Sequence, residues 1–133
     1  MLQHQQLSDQ IIGAAITVHK GLGPGFLESV YEEAKAVEFN LLGIPYERQK
    51  TVPIQYRGCD VGEHRLDFLV AGAFVVELKA ATELENIYFS IVRSYLKATN
   101  LQSALLLNFA TMPLTIKRVG REESARTPSA IPE

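Results

Sequence analysis

The sequence predicts an α/β domain, an α+β mixed sheet flanked by helices in the order α-α-β-β-β-α-β-β. Three observations carry this. Apolar residues recur at helical spacing as far as Leu42. From Arg48 the period changes to two. After a third helical stretch, Ala104-Leu105-Leu106-Leu107 is apolar without alternation, as a strand covered on both faces should be. At 133 residues the chain has one domain's length. We place that domain at residues 1–120, with a polar, flexible tail at 121–133.

The elements follow in order. Ser8 or Asp9 is placed to cap a first helix carrying Ile11, Ile12, Ala15 and Ile16. Gly21-Leu22-Gly23-Pro24-Gly25 stops it. A second helix, about Phe26 to Leu42, has Leu27, Val30, Tyr31, Ala34 and Val37 on one side, with Gly43 and Pro45 ending it. Strands are expected at about Arg48–Tyr56, Glu63–Val70 and Phe74–Ala80, the last two joined by Ala71-Gly72-Ala73. Thr82-Glu83-Leu84-Glu85 has capping-box spacing and opens a helix with Leu84, Ile87, Tyr88, Ile91 and Tyr95 on one stripe. Asn100 suits a left-handed stop, and Leu114–Val119 reads as a last, edge strand.

Composition excludes several functional classes. No apolar run reaches the ~18 residues of a membrane helix, and the N-terminus lacks the charged and apolar regions of a secretion signal. Cys59 is the lone cysteine, which fits a reducing compartment, so a cytoplasmic location is expected. Thirteen Lys and Arg against 15 Asp and Glu give a net charge of −2. That argues against coating nucleic acid by bulk attraction, though a carboxylate site that recruits a cation can still engage phosphate.

Chemistry concentrates in the second hairpin. If its turn centres on Gly72, facing residues sum to 144. Asp67 then opposes Glu77 and Arg65 opposes Lys79, while Glu77 and Lys79 share a face. Charges inside Phe74-Val75-Val76-Glu77-Leu78-Lys79 are costly unless paired or metal-bound. Facing carboxylates repel until one protonates or a cation settles between them, and a hard ion such as Mg²⁺ or Mn²⁺ suits oxygen ligands. The competing interpretation of each charge is a solvated hairpin salt bridge.

Asp67 followed by Glu77-x-Lys79 in a hydrophobic strand resembles the signature of the PD-(D/E)xK nuclease superfamily. Gly25-Phe26-Leu27-Glu28-Ser29-Val30-Tyr31 resembles the motif that names the GxxExxY family, and Val18-His19, Leu22-Gly23-Pro24-Gly25 and Leu107-Asn108-Phe109 agree with it. The resemblance implies a restriction-endonuclease-like core and metal-dependent hydrolysis of phosphodiester bonds in DNA or RNA. By position it implies Asp67 and Glu77 as metal ligands with help from Glu28, and Lys79 as the catalytic lysine. Tyr31, Arg65 and Tyr95 are possible supporting residues. Nucleic acid is then the expected partner, with a homodimer and a specificity-supplying protein as further expectations, and no membrane.

Related nucleases often carry Gln-x-x-x-Tyr on the helix after the Glu-x-Lys strand. Here Tyr95 holds the tyrosine place, but Ile91 stands at the glutamine place. That departure supports an alternative, a catalytically inactive module that binds nucleic acid or a protein. Glu28 also has a purely local explanation at a helix N-terminus, and His19 one as a helix-end cap. Gly21–Gly25 follows a helix and lacks Gly-Lys-Ser/Thr, so it is not a nucleotide-binding loop. Arg93, Lys97, Lys117, Arg118 and Arg121 are placed to form a basic rim.

Overall fold

The computed structural model describes residues 2–121. Its elements are α1 (Leu2–Leu22), α2 (Glu28–Leu42), β1 (Tyr46–Tyr56), β2 (Cys59–Val70), β3 (Phe74–Lys79), α3 (Asn86–Thr99), β4 (Ser103–Asn108) and β5 (Thr115–Gly120). The expected tail, apart from Arg121, lies outside the described residues.

The five strands form one sheet in the order β1-β2-β3-β4-β5. β3 and β4 are parallel and joined through α3, while every other neighbouring pair is antiparallel. α1 and α2 cover one face, packing Ile11, Ala15, Tyr31 and Phe39 on Phe68, Val76, Leu78, Leu105 and Leu107. α3 covers the other, packing Val92 and Leu96 on Leu66, Val75, Ala104 and Leu106. β3 is central and buried from Phe74 to Leu78, which is why its sequence is a nearly continuous apolar run. β5 is the expected edge strand.

Several expectations are corrected. α1 begins at Leu2, so Ser8 is not its cap but a buried mid-helix residue. α2 buries Tyr31, Lys35, Ala36 and Phe39, whereas Leu27, Val30 and Val37 from the expected stripe are exposed. Periodicity identifies a helix with an apolar side, but the larger Tyr31 and Phe39 decide which stripe docks. Thr82 opens no helix. α3 starts at Asn86 behind Glu85, with no side-chain cap, because Thr82 and Glu83 belong to the loop that carries the chain off β3. α3 buries Val92 and Leu96 and leaves Ile87 and Ile91 exposed. β2 starts at Cys59 because the turn before it is Arg57-Gly58 alone. Gly43 and Asn100 do adopt the left-handed conformation at the ends of α2 and α3.

Candidate active site

The β2–β3 turn spans Ala71-Gly72-Ala73, and its paired residues do sum to 144: Val70 with Phe74, Leu69 with Val75, Phe68 with Val76. Beyond Phe68 the regular ladder stops and side chains take over. The Leu78 N–H donates to Asp67 Oδ2 at 2.9 Å, and the Asp67 N–H reaches Glu77 Oε1 at 3.4 Å. A carboxylate thus replaces a backbone carbonyl between the parting strands. Leu66 and Phe68 are two apart on β2 yet pack into opposite cores, so the strand rolls over at Asp67.

Glu77 is only 7% exposed. Burial, and then the facing charge of Asp67, push its carboxyl up to about 8. Asp67 is raised as well, first by burial and then by the charges of Glu32 and Glu28, against the bond from Leu78. Lys79 lowers both carboxyls by its charge but forms no ion pair with a described residue. Its Nζ lies 4.6 Å from the centre of the Tyr88 ring on α3. Tyr95, one helical face along, has its phenol pushed up to about 12, chiefly by burial and then by the charges of Glu77 and Asp67.

The glycine-rich segment supplies the remaining acid. Gly25 has φ 112°, a conformation side chains rarely adopt, and it turns the chain into α2. Glu28, in the first turn, accepts from the Ala80 N–H at 3.2 Å, just past Lys79. Tyr31 is fully buried and holds this loop from beneath. Its hydroxyl donates to Gly23 O at 2.5 Å and accepts from the Phe26 N–H, while its ring stacks on Phe109 at 4.6 Å. Tyr31 is therefore a core brace. Asn108, opposite Lys79 on β4, accepts from the Ala81 N–H and donates to Ala81 O, locking the chain where it leaves β3.

Asp67, Glu77, Lys79, Glu28 and Tyr95 are thus gathered at one end of the sheet. Arg65 is not, contrary to expectation. It pairs with Thr51 and is exposed, because β2 and β3 have already separated there. The basic rim also breaks up. Lys117 lines a cavity with Thr82, Glu83 and Asn108, whereas Arg118 lines one with His4, Ser8 and Ser103. Adjacent strand residues point to opposite faces, so a single rim cannot hold both. His19 is buried beside Phe109, and its Nε2 has no hydrogen-bond partner among the described residues.

Sequence reasoning missed Glu32, Arg48 and Gln49. Glu32 lies one helical turn after Glu28, a spacing that puts both on one face and would have flagged it. It is gripped by Arg48 through Nε at 3.1 Å and Nη2 at 3.0 Å. Gln49 left no signal in the strand alternation.

The oxygen donors suit a hard divalent cation. Asp67 and Glu77 repel each other, and apart from the Leu78 N–H on Asp67 Oδ2 they meet N–H donors only in long contacts, at 3.5 Å on Asp67 Oδ1 and 3.4 Å on Glu77 Oε1. Among the described residues no three acidic, histidine or cysteine side chains enclose a cation unaided. A two-carboxylate opening fits Mg²⁺, which keeps waters and substrate phosphates as its other ligands.

A search of curated proteins finds no match. Among solved structures, the chain is similar to an alkaline exonuclease from Laribacter hongkongensis, with TM-score 0.53 and 12% identity over 75% of this chain. The chain spans 59% of that protein's length. The shared architecture is the restriction-endonuclease-like fold, a mixed sheet flanked by helices. No described helix is long and apolar enough to cross a membrane. A sequence profile described as the PD-(D/E)XK nuclease superfamily matches residues 5–119, so this chain belongs to the PD-(D/E)XK nuclease superfamily.

Proposed function

We propose that the protein is a nuclease of the GxxExxY type that hydrolyses phosphodiester bonds in DNA or RNA with Mg²⁺ or Mn²⁺. The observation that supports this most is the pair of repelling, largely buried carboxylates, Asp67 and Glu77, beside Lys79, which forms no ion pair with a described residue. Asp67 and Glu77 would hold the ion, with Glu28 at the rim. When bound, the cation supplies a Lewis acid to the phosphodiester and to attacking water.

The chain's own residues do the rest. The Leu78 N–H fixes Asp67 by one oxygen and leaves the other toward the site. Lys79, resting on Tyr88, carries the positive charge that steadies negative charge developing on the phosphate. Tyr95 stands close enough to feel the charges of Glu77 and Asp67, and Asn108 with Glu28 keeps the strand end from shifting. The catalytic domain is residues 1–120. A second copy or a protein partner would widen the grip on nucleic acid, and the single exposed thiol, Cys59, suits work in the reducing cytoplasm.

Calorimetry with Mg²⁺ and Mn²⁺, followed by cleavage of linear duplex DNA, single-stranded DNA and RNA, tests this reading. Binding should occur in the wild type and vanish in Glu77→Ala. Alanine at Asp67, Glu77 or Lys79 should lower cleavage by about 10²–10⁴-fold with the fold retained. Cleavage that survives these changes would refute the site. Ile91 supports a second reading, an inactive module that binds nucleic acid or protein. It predicts nucleic-acid or partner binding with neither cation binding nor turnover.

A further inference from the structure

Gln49 sits in the middle of β1 with φ 49°, the left-handed region that a long, unbranched side chain rarely occupies inside a strand. The β1–β2 pairing skips it. Arg48 pairs with Phe68 and Lys50 with Leu66, while the position between them, Gln49 opposite Asp67, leaves the ladder. The unusual backbone has a visible consequence. The side-chain amide of Gln49 lies between two carboxylates, with Nε2 at 2.8 Å from Glu32 Oε1 and 3.5 Å from Asp67 Oδ1. Only the NH₂ end can face two anionic oxygens, so the orientation of the amide follows from its neighbours.

We infer that Gln49 is a positioning residue for the proposed cation site, acting by tying Glu32 back to β1 and leaving the second oxygen of Asp67 turned toward the gap and open to a cation; the inference rests on the nuclease reading above. Glu32 has both oxygens engaged, one by Gln49 and the other by the Arg48 guanidinium. It is thereby tied back to β1 and kept from crowding Asp67. Asp67 in turn has Oδ2 bound to the Leu78 N–H and Oδ1 touched only at long range by Gln49. The first bond is strong and fixes the carboxylate plane. The second is weak enough for a cation to displace. An ordinary extended residue at position 49 would send its side chain away from this gap. The local strain persists because the bridging amide and the paired strand around it over-determine the conformation.

The test uses full-length protein, Mn²⁺ as the probe, and two readouts besides activity: the Mn²⁺ dissociation constant by calorimetry and the melting temperature without metal. Gln49→Gly relieves the left-handed backbone and deletes the amide, and Gln49→Asn tolerates the backbone but draws the amide back by one methylene. Both should weaken Mn²⁺ at least tenfold without lowering the melting temperature. Wild-type Mn²⁺ affinity in Gln49→Gly, or weakened binding together with a lower melting temperature, would overturn the positioning role and leave the nuclease reading intact. No Mn²⁺ binding by the wild type would overturn both.

Discussion

Among the described residues two charged groups are buried, one on each face of the sheet, and they are not equivalent. Lys35, on α2, is fully buried beneath α1. Its Nζ donates to Ile11 O at 2.9 Å and lies over the Phe39 ring. Burial pushes it down to about 7, partly offset by the charge of Glu38. Glu77 is nearly as buried and is pushed up to about 8, but what it faces is another carboxylate. Lys35 has acquired an acceptor and an aromatic face, so its surroundings satisfy it. Glu77 has acquired repulsion, so its surroundings call for a cation. Burial moves both groups toward neutrality, and only the partner separates a tolerated core charge from a candidate site.

The comparison is sharpened most by stability against pH. Glu77 titrates above its unfolded value, so its contribution is complete below about pH 4.5 and is lost as pH rises through about 8. Lys35 titrates below its unfolded value, so its penalty is complete below about pH 7 and is relieved as pH rises toward 10.5. Metal-free protein should therefore show a stability minimum near pH 7–8, each limb on the order of a few kcal/mol. Mn²⁺ should flatten the acid limb and leave the alkaline limb unchanged, as followed by melting temperature across pH. An unchanged acid limb with saturating Mn²⁺ would break the contrast.

Lys35→Met should abolish the alkaline limb and stabilise the protein at pH 6 by roughly 1–4 kcal/mol, since an apolar side chain of similar length needs no proton. Chemical denaturation checks this, and cleavage should be unaffected. Tyr31→Phe leaves the Gly23 carbonyl and Phe26 N–H without their buried partner and should cost about 1–3 kcal/mol. Ile91→Gln has the smallest expected effect. The position is exposed, so stability should change by less than ~0.5 kcal/mol. Cleavage should also stay constant, because Gln49 already presents an amide to Asp67; a rise in turnover would show that the site lacks one.

Much of this was legible in the chain. A three-residue turn at Ala71-Gly72-Ala73 sets the register of its hairpin as far as Phe68 and Val76, one step short of Asp67 and Glu77, which side-chain contacts with the backbone then bring together. The order of elements, the buried β4 and the stops at Gly43 and Asn100 were likewise local, since periodicity and backbone preference act within a few residues. Sequence could not show that Arg65 is left outside, because that depends on where two strands part. Nor could it show that α2 turns Lys35 inward and Val37 outward, which depends on what α1 and the sheet present.

What the sequence determined by itself was therefore the set of elements, the hairpin register that leads toward Asp67 and Glu77, and the family pattern that links them to Lys79 and Glu28. Only the tertiary structure decided which helix face is buried, how Glu32 is tied by Arg48, and why Gln49 is bent into a conformation its own chemistry disfavours. The physical reason is distance along the chain. Turns and helix stops are set by neighbouring residues. The bridge from Gln49 to Glu32 and Asp67 joins residues 17 and 18 positions away, and exists only once α2, β1 and β2 have packed together.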